Sequence, residues 1–234
     1  MQTSTFIDQP IKKAESRAKY YFRKFFQRKT AVIAAVIILI FLFFAIFGPQ
    51  IAPFDPSLPD YDNLYGAPDA VHWFGTDEFG RDVLSRLLVG TRNSLGVSLA
   101  SVLIGAAIGT FLGVLAGYYG GIIDSIVMRG SDILFAMPDI LLAIAIVAII
   151  GPGIINVVIA VAVFTIPSFA RIMRSATLSV KSSLYVEAAR SIGCKNSRIL
   201  WVHIFPSTVQ SMIVNFTMRI GTAILAAASL SFLG

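Results

Sequence analysis

The chain has 234 residues, of which 56% are hydrophobic and only 14% are charged, and its mean hydropathy is +0.78. Soluble domains carry about 25% charged residues, so the composition excludes an ordinary soluble protein and indicates an integral membrane protein. The net charge of +6 does not indicate a nucleic-acid partner, because the basic residues cluster beside apolar runs, as topology determinants do.

The N-terminal part comprises a basic tail, an apolar run and a polar segment. The tail covers residues 1–29, and the run at 30–48 carries no charge and approaches the roughly 20 residues that a membrane span needs. No small-residue cleavage signature follows the run, so we read it as a retained first transmembrane helix. Residues 49–93 are rich in Pro and Asp at first, and then become amphipathic, which predicts a loop that ends in an interfacial helix. In that helix, Leu87 would face apolar surroundings and Ser85 would face water.

Four further apolar runs predict spans at residues 94–119, 133–150, 154–170 and 209–233, which makes five in all. The first of these four carries a glycine at every fourth position, a spacing that favours close helix packing. Lining a translocation path is the alternative role for this stripe. Its members are Gly105, Gly109, Gly113 and Gly117.

The distribution of basic residues predicts the orientation. The tail and the loop at residues 171–208 are basic, whereas residues 49–93 are acidic. The positive-inside rule places basic segments in the cytoplasm. We therefore expect a multi-pass protein of the cytoplasmic membrane, surrounded by lipid, with a cytoplasmic N-terminus and residues 49–93 outside. Residues 94–234 would form the core domain.

The basic loop at residues 171–208 contains a predicted short helix. Ser182 or Ser183 is a suitable N-cap, Glu187 suits the positive end of the helix dipole, and Gly193 can end the helix. Pro206 is expected to break the chain before the last span.

Because alanine side chains are small, two adjacent alanines would let the backbone of this helix lie deep in a groove of another protein. The alternative is a solvated loop that contains a helix by chance.

The segment EAARSIGCKNSRILWVHIFP resembles the EAA loop of ATP-binding-cassette (ABC) importer permeases, whose pattern is E-A-A, three residues, G, nine residues, I-x-L-P. This chain departs from that pattern at two apolar positions, where it has His203 and Phe205. The resemblance implies a helix that couples the permease to an ATPase. The coupling residues that it implies are Glu187, Ala188, Ala189, Arg190, Ser191, Gly193 and Pro206.

The resemblance extends through residues 72–95, 116–146 and 217–234, and covers nearly all of the chain from about residue 25. These segments are similar to the dipeptide, oligopeptide and nickel branch, most closely to the second permease subunit of dipeptide, oligopeptide or glutathione importers. An all-α, polytopic transmembrane bundle with the type I ABC importer permease fold is implied. Family members usually have six spans, so we expect an outside loop and a sixth span where this chain stops at Gly234.

The family implies partners as well as a fold. They are a second homologous permease subunit, two ATP-binding subunits and an extracytoplasmic substrate-binding protein. The sequence has no GxxxxGK[ST] phosphate loop, so we expect a transport subunit and not an enzyme, with ATP and Mg²⁺ held by the partner ATP-binding subunits. One cysteine and two distant histidines, His72 and His203, give no metal-ligand spacing, so we expect no cofactor or metal in this chain.

The expected cargo is a short peptide, either a dipeptide, an oligopeptide or glutathione. The first alternative is a nickel or other metal chelate. A secondary, ion-coupled transporter is an alternative of another class, but it would need intramembrane acids, and only Asp132 and Asp139 are candidates. A structural or assembly protein and a membrane enzyme are the remaining classes. The EAA spacing argues against an ion-coupled transporter and a structural protein, and no cluster of nucleophile, base or metal ligands at one membrane depth indicates an enzyme.

Arg219 interrupts the last predicted span. A charge at mid-span costs about 2.5–3.5 kcal/mol on insertion scales, so Arg219 is expected to face a cavity or a partner. One interpretation is contact with a peptide carboxylate in a translocation path, together with Asp139. The other is an ion pair with Asp139 or Asp132.

Overall fold

A computed structural model describes residues 23–233, so most of the basic tail predicted at 1–29 lies outside the described residues. The long elements of this part of the chain are all helices, and its one β feature is an isolated antiparallel bridge between Thr76 and Asp82. The helices are α1 Lys29–Ile51, α2 Val83–Tyr119, α3 Gly121–Phe135, α4 Asp139–Ile150, α5 Ile154–Lys181, α6 Leu184–Ser191, α7 Asn196–Arg198 and α8 Phe205–Leu233, with a π-helical segment Ile199–Ile204 between α7 and α8.

The apolar helices agree with the predicted spans in number. Within residues 23–233, four helices are long and apolar enough to cross a membrane, and the bent pair α3–α4 would make a fifth. The four are α1, α2, α5 and the continuous helix that includes α7 and α8. An all-α, polytopic transmembrane protein is therefore confirmed.

The described chain divides into two compact units after Val89. In the first unit, irregular chain follows α1 and leads to the start of α2. Asp82 caps that start, because its Oδ2 accepts bonds from the Ser85 backbone N–H at 2.7 Å and from the Ser85 hydroxyl at 2.6 Å. The Ser85 Oγ also accepts the Phe54 N–H at 3.1 Å.

The interfacial helix expected before residue 94 is not a separate element. α2 runs without a break from Val83 to Tyr119, because no proline interrupts it and an internal glycine such as Gly90 weakens a helix by only about 1 kcal/mol. The expectation that Ser85 faces water is wrong, because Ser85 is buried and its side chain bonds to Asp82 and to the Phe54 N–H. Leu87 is 53% exposed at the protein surface, so its apolar surroundings stay a prediction.

The second unit is built around α5, which packs against α3, α4 and α8. The glycine stripe of α2 lies against the same helix. A Cβ added at Gly117 would be 2.8 Å from the Arg174 carbonyl oxygen, and one at Gly113 would overlap the Ala170 backbone. The packing role predicted for this stripe is therefore confirmed, since only glycine lets the two backbones come so close.

The third predicted span, residues 133–150, is not one straight helix. α3 ends at Phe135, α4 begins at Asp139, and the two axes differ by 91°. Pro138 has φ −55° and ψ 136°, and proline disfavours the helical conformation in the residue before it. α4 has 12 residues, about 18 Å at 1.5 Å per residue, and so is shorter than a bilayer core of about 30 Å.

Two clusters of buried apolar side chains stabilise the second unit. The first joins α2, α4, α5 and α8 around Phe164 and Phe169. The second joins the ends of α2 and α5 to α6 and the π-helical segment, and we call it the loop core. Its buried members are Val114, Tyr118, Met173, Val186, Ala189, Ile199, Leu200 and Ile204.

Candidate functional site

The predicted loop helix is α6, and its start differs in detail from the expectation. Ser183 is the N-cap, with extended φ and ψ of −79° and 146°, but its side chain makes no capping bond to the helix. The Ser183 hydroxyl instead donates to the Val180 carbonyl at 2.6 Å, at the end of α5. Glu187 lies in the first turn, as predicted, where its carboxylate suits the positive dipole end.

The C-terminus of α6 forms a Schellman motif. Gly193 has φ +79°, the left-handed conformation that glycine adopts without steric cost. Its N–H donates to the Arg190 carbonyl at 3.0 Å, and the Cys194 N–H donates to the Ala189 carbonyl at 3.1 Å. The prediction that Gly193 ends the helix is confirmed. The roles of Arg190, Ser191 and the other loop residues in coupling stay predictions.

The two alanines of α6 lie on different faces. Ala189 is buried in the loop core beside Val186, whereas Ala188 is exposed. Adjacent helix residues point about 100° apart, so both alanines cannot share the outer surface as expected. The outer face is an apolar row at i, i+4 and i+8, in which Leu184 is 84% exposed and Ile192 is 80% exposed on either side of Ala188. We call Leu184, Ala188 and Ile192 the outer row.

Pro206 does not break the chain before the last span. It occupies the first turn of α8, and the helix is continuous through the π-helical segment that precedes it. In that segment the Phe205 N–H donates to the Leu200 carbonyl, five residues back. A widened turn of this kind accommodates a proline, which has no N–H and crowds the preceding turn. The expected break at Pro206 is therefore wrong.

Side-chain bonds tie the loop to neighbouring helices. Lys181 Nζ donates to the Tyr118 backbone carbonyl at 2.6 Å, and the Tyr118 hydroxyl donates to Asn196 Oδ1 at 2.7 Å. Tyr185 and Ser207 share a hydrogen bond of 3.0 Å between their hydroxyls. These bonds join the loop to the ends of α2, α5 and α8. The sequence did not predict these bonds, because the partners are up to 78 residues apart.

A polar network crosses the second unit between α4, α5 and α8. Arg219 Nε donates to Ser168 Oγ at 2.9 Å, Ser168 Oγ donates to Asn215 Oδ1 at 3.4 Å, and an Arg219 guanidinium nitrogen lies 3.8 Å from Asp139 Oδ2. Asp132 instead pairs with Arg171 at 2.6 Å. Of the two ion-pair partners considered for Arg219, the structure selects Asp139. A path role for either residue stays a prediction.

A cavity of about 340 Å³ lies beside this network and is lined by residues of α5 and α8. The side-chain nitrogen of Asn215 is buried and has no acceptor among the described residues. Ser168 and Asn215 were missed by the sequence analysis. A signal for Asn215 was present, since it lies four residues before Arg219 and therefore on the same helix face. The cavity is lined by Ile172, Gln210, Ser211, Val214, Asn215 and Met218.

The first unit has a titratable cluster of its own. His72 Nδ1 lies 3.0 Å from Asp82 Oδ1, and the Phe54 ring lies against the imidazole with centroids 4.7 Å apart. Burial raises the pKa of Asp82, but bonds from Ser85 and His72 outweigh it and hold this pKa below its usual value. This cluster holds the irregular chain to the start of α2.

Comparison with known proteins gives two family matches. Residues 109–234 match a model described as "Binding-protein-dependent transport system inner membrane component". Residues 16–68 match a model described as "N-terminal TM domain of oligopeptide transport permease C".

Individual relatives match along most of the chain. It is 50% identical over 215 residues to the glutathione transport system permease protein GsiD of Pectobacterium atrosepticum and 54% identical to that of Escherichia coli, with 92% of this chain and 71% of each relative covered. A solved structure titled "Crystal structure of an amino acid ABC transporter with histidines" aligns with 60% of this chain and 68% of its own, at 18% identity and a TM-score of 0.49. The chain therefore belongs to the binding-protein-dependent transport system inner membrane components, as an ABC importer permease of the dipeptide and oligopeptide branch.

Proposed function

We propose that this permease imports short peptides, glutathione among them, in a transporter whose ATP-binding subunits engage α6. The observation that carries the coupling role is the division of α6 into two faces. Val186 and Ala189 anchor the helix in the loop core, while the outer row is exposed. An apolar row on a rigidly held helix is a surface that a groove of another protein can bind.

The cargo is inferred from the relatives. Those at 50–54% identity are named glutathione transport system permease proteins, and one family match is to an oligopeptide transport permease. Glutathione is a tripeptide, so both names support a short peptide. Neither the metal-chelate alternative nor an ion-coupled mechanism is favoured by any of these matches.

The proposed assembly contains a second homologous permease subunit, two ATP-binding subunits and an extracytoplasmic substrate-binding protein. The family name specifies binding-protein-dependent transport, which supports the last of these. ATP and Mg²⁺ would be held by the ATP-binding subunits. The basic tail and the loop that contains α6 would face the cytoplasm, and the irregular chain before α2 would face outward, following the positive-inside rule.

The contacts around α6 suggest how a motion would be transmitted. A partner that displaced the outer row would act on Val186 and Ala189, which contact the ends of α2 and α5 through Val114 and Met173 in the loop core. Because packed cores are not continuously deformable, the helices would move as bodies. Arg219 and Asp139, on α8 and α4, would then change their exposure to the path.

The coupling proposal is tested by adding a charge to the outer row. Leu184→Asp should leave the fold intact, because this side chain is 84% exposed, but it should desolvate a carboxylate in the interface. We expect peptide uptake by the complete transporter to fall at least tenfold and co-purification of the ATP-binding subunits to weaken. Ser197→Asp is the matched control, since Ser197 is exposed in the same loop but outside the row. Equal uptake by both variants would contradict the proposed role of α6.

The path role of Arg219 has a separate test. Arg219→Gln keeps a donor for Ser168 but removes the charge that lies near Asp139. If the residue contacts the cargo, the variant should assemble at wild-type levels and change its preference among peptides with different charges. Reduced assembly with an unchanged preference would assign Arg219 to structure alone.

A further inference from the structure

The network on α5 and α8 leaves one buried donor without an acceptor. Ser168 Oγ accepts the Arg219 Nε–H and donates its own hydrogen to Asn215 Oδ1 at 3.4 Å. The amide nitrogen of Asn215 is then the atom that does not contact Ser168. That nitrogen is buried and has no partner among the described residues, a situation that is unfavourable and rare in native proteins.

The adjoining cavity supplies further neutral donors. Its lining includes the amide of Gln210 and the hydroxyl of Ser211, both of which are exposed. The remaining lining residues, Ile172, Val214 and Met218, are apolar, so no charged side chain reaches the cavity wall. The cavity therefore offers neutral donors in an apolar setting.

Such a lining selects a neutral acceptor over an anion. The nearest cation, Arg219, already lies beside the carboxylate of Asp139, so this pair contributes little net charge. A carbonyl oxygen of a peptide bond is a neutral acceptor, and every peptide has one whatever its side chains. Neutral hydrogen bonds are also weak enough for a cargo to leave, as transport requires.

We infer that the cavity between α5 and α8 binds a main-chain carbonyl of the peptide cargo, through Asn215 with Gln210 and Ser211. The inference rests on the proposed function, because it presumes that peptides pass through this permease. The inference adds three residues to the proposed path. They are uncharged and lie outside the EAA motif, so the sequence analysis did not select them.

The test compares two probes in the complete transporter reconstituted in lipid vesicles. One is trialanine, and the other is trialanine with its central carbonyl replaced by a thioamide, whose sulfur is a poor acceptor of similar shape. The measured quantity is the ratio of the two uptake rates. Loss of folded transporter lowers both rates equally and leaves this ratio unchanged, and the preference of the binding protein is common to all variants.

Asn215→Asp keeps the acceptor for Ser168 and removes the free donor, so we expect the preference for the oxygen probe to fall at least threefold. Gln210→Met is the second variant, because Gln210 is exposed and its replacement does not threaten folding; we expect a smaller fall in the same direction. Thr110→Val is the matched control. It removes another buried polar group that has no partner, but one outside the cavity lining, and should not change the ratio.

An unchanged ratio in both cavity variants would overturn the inference. So would variants whose effect disappears when the terminal carboxylate of the probe is amidated, because that result would identify an anion site. If the wild-type transporter imported neither tripeptide, although its subunits assembled, the proposed peptide function itself would fail and the inference with it.

Discussion

The Tyr118 hydroxyl donates a 2.7 Å hydrogen bond to Asn196 Oδ1, while the backbone carbonyl of Tyr118 accepts from Lys181 Nζ at 2.6 Å. Lys181 ends α5 before α6, and Asn196 begins the helix that follows α6. One residue at the end of α2 therefore bonds to both flanks of the loop. The ring of Tyr118 is itself buried in the loop core.

Removing this hydroxyl should loosen the loop without creating a cavity. Tyr118→Phe keeps the ring packing and loses one side-chain bond, which is worth about 0.5–1.5 kcal/mol. We expect a slightly lower unfolding temperature in detergent and less ATP hydrolysis in response to loaded binding protein. Tyr119→Phe is the control, because Tyr119 is the neighbouring, exposed tyrosine. Identical behaviour of the two variants would show that the bond to Asn196 does not hold the loop.

A methyl group in the glycine stripe should destabilise the second unit. Gly113→Ala would place its Cβ against the Ala170 backbone, which cannot move without shifting α5, and overpacking of this kind costs about 1–3 kcal/mol. Gly96→Ala is the matched control on the same helix, because an added Cβ there meets nothing within 4 Å. Thermal unfolding of the two variants should separate them, with Gly96→Ala at or above the wild-type temperature.

The turn that ends α6 should depend on its left-handed residue. Gly193→Ala must hold φ near +79°, which costs an L-residue about 1–2 kcal/mol. Asparagine tolerates this conformation better, so Gly193→Asn should retain more coupled ATP hydrolysis and peptide uptake than Gly193→Ala. Open space surrounds the position, which removes side-chain clashes from the comparison. Equal activity in all three proteins would contradict a need for the glycine conformation.

The first unit should become less stable in acid. The pKa of Asp82 lies below its usual 3.8 because hydrogen bonds from Ser85 and His72 outweigh its burial. The ionised carboxylate thus stabilises the fold above pH 3.8, and this contribution is lost as the pH falls through the lower, folded pKa. Amide hydrogen exchange at Ser85 should report the loss.

Two variants show whether that acid dependence belongs to Asp82. Asp82→Asn should reduce protection at neutral pH and remove its dependence on pH below 3.8. Glu78→Gln, at an exposed acid of the same segment, should behave as the wild type. An acid dependence that persisted in Asp82→Asn would show that another group is responsible.

Parts of the fold followed from local rules. Long uncharged runs predicted the apolar helices, and Gly193 correctly predicted the end of α6, because both depend on neighbouring residues alone. The bend at Pro138 and the continuity at Pro206 were harder to predict. The chain breaks after α3 in the first case and continues through a π-helical turn in the second, so what each proline does depends on the packing around it.

By itself, the sequence determined the membrane class, the number of apolar segments and the family, since hydropathy and motif spacing are properties of contiguous residues. The tertiary structure decided which alanine of α6 faces outward, because Ala189 is drawn into the loop core and Ala188 is not. It also decided that Arg219 pairs with Asp139 and that Asn215 keeps a free donor beside a cavity. These relations join residues of different helices, and only packing brings such residues within bonding distance.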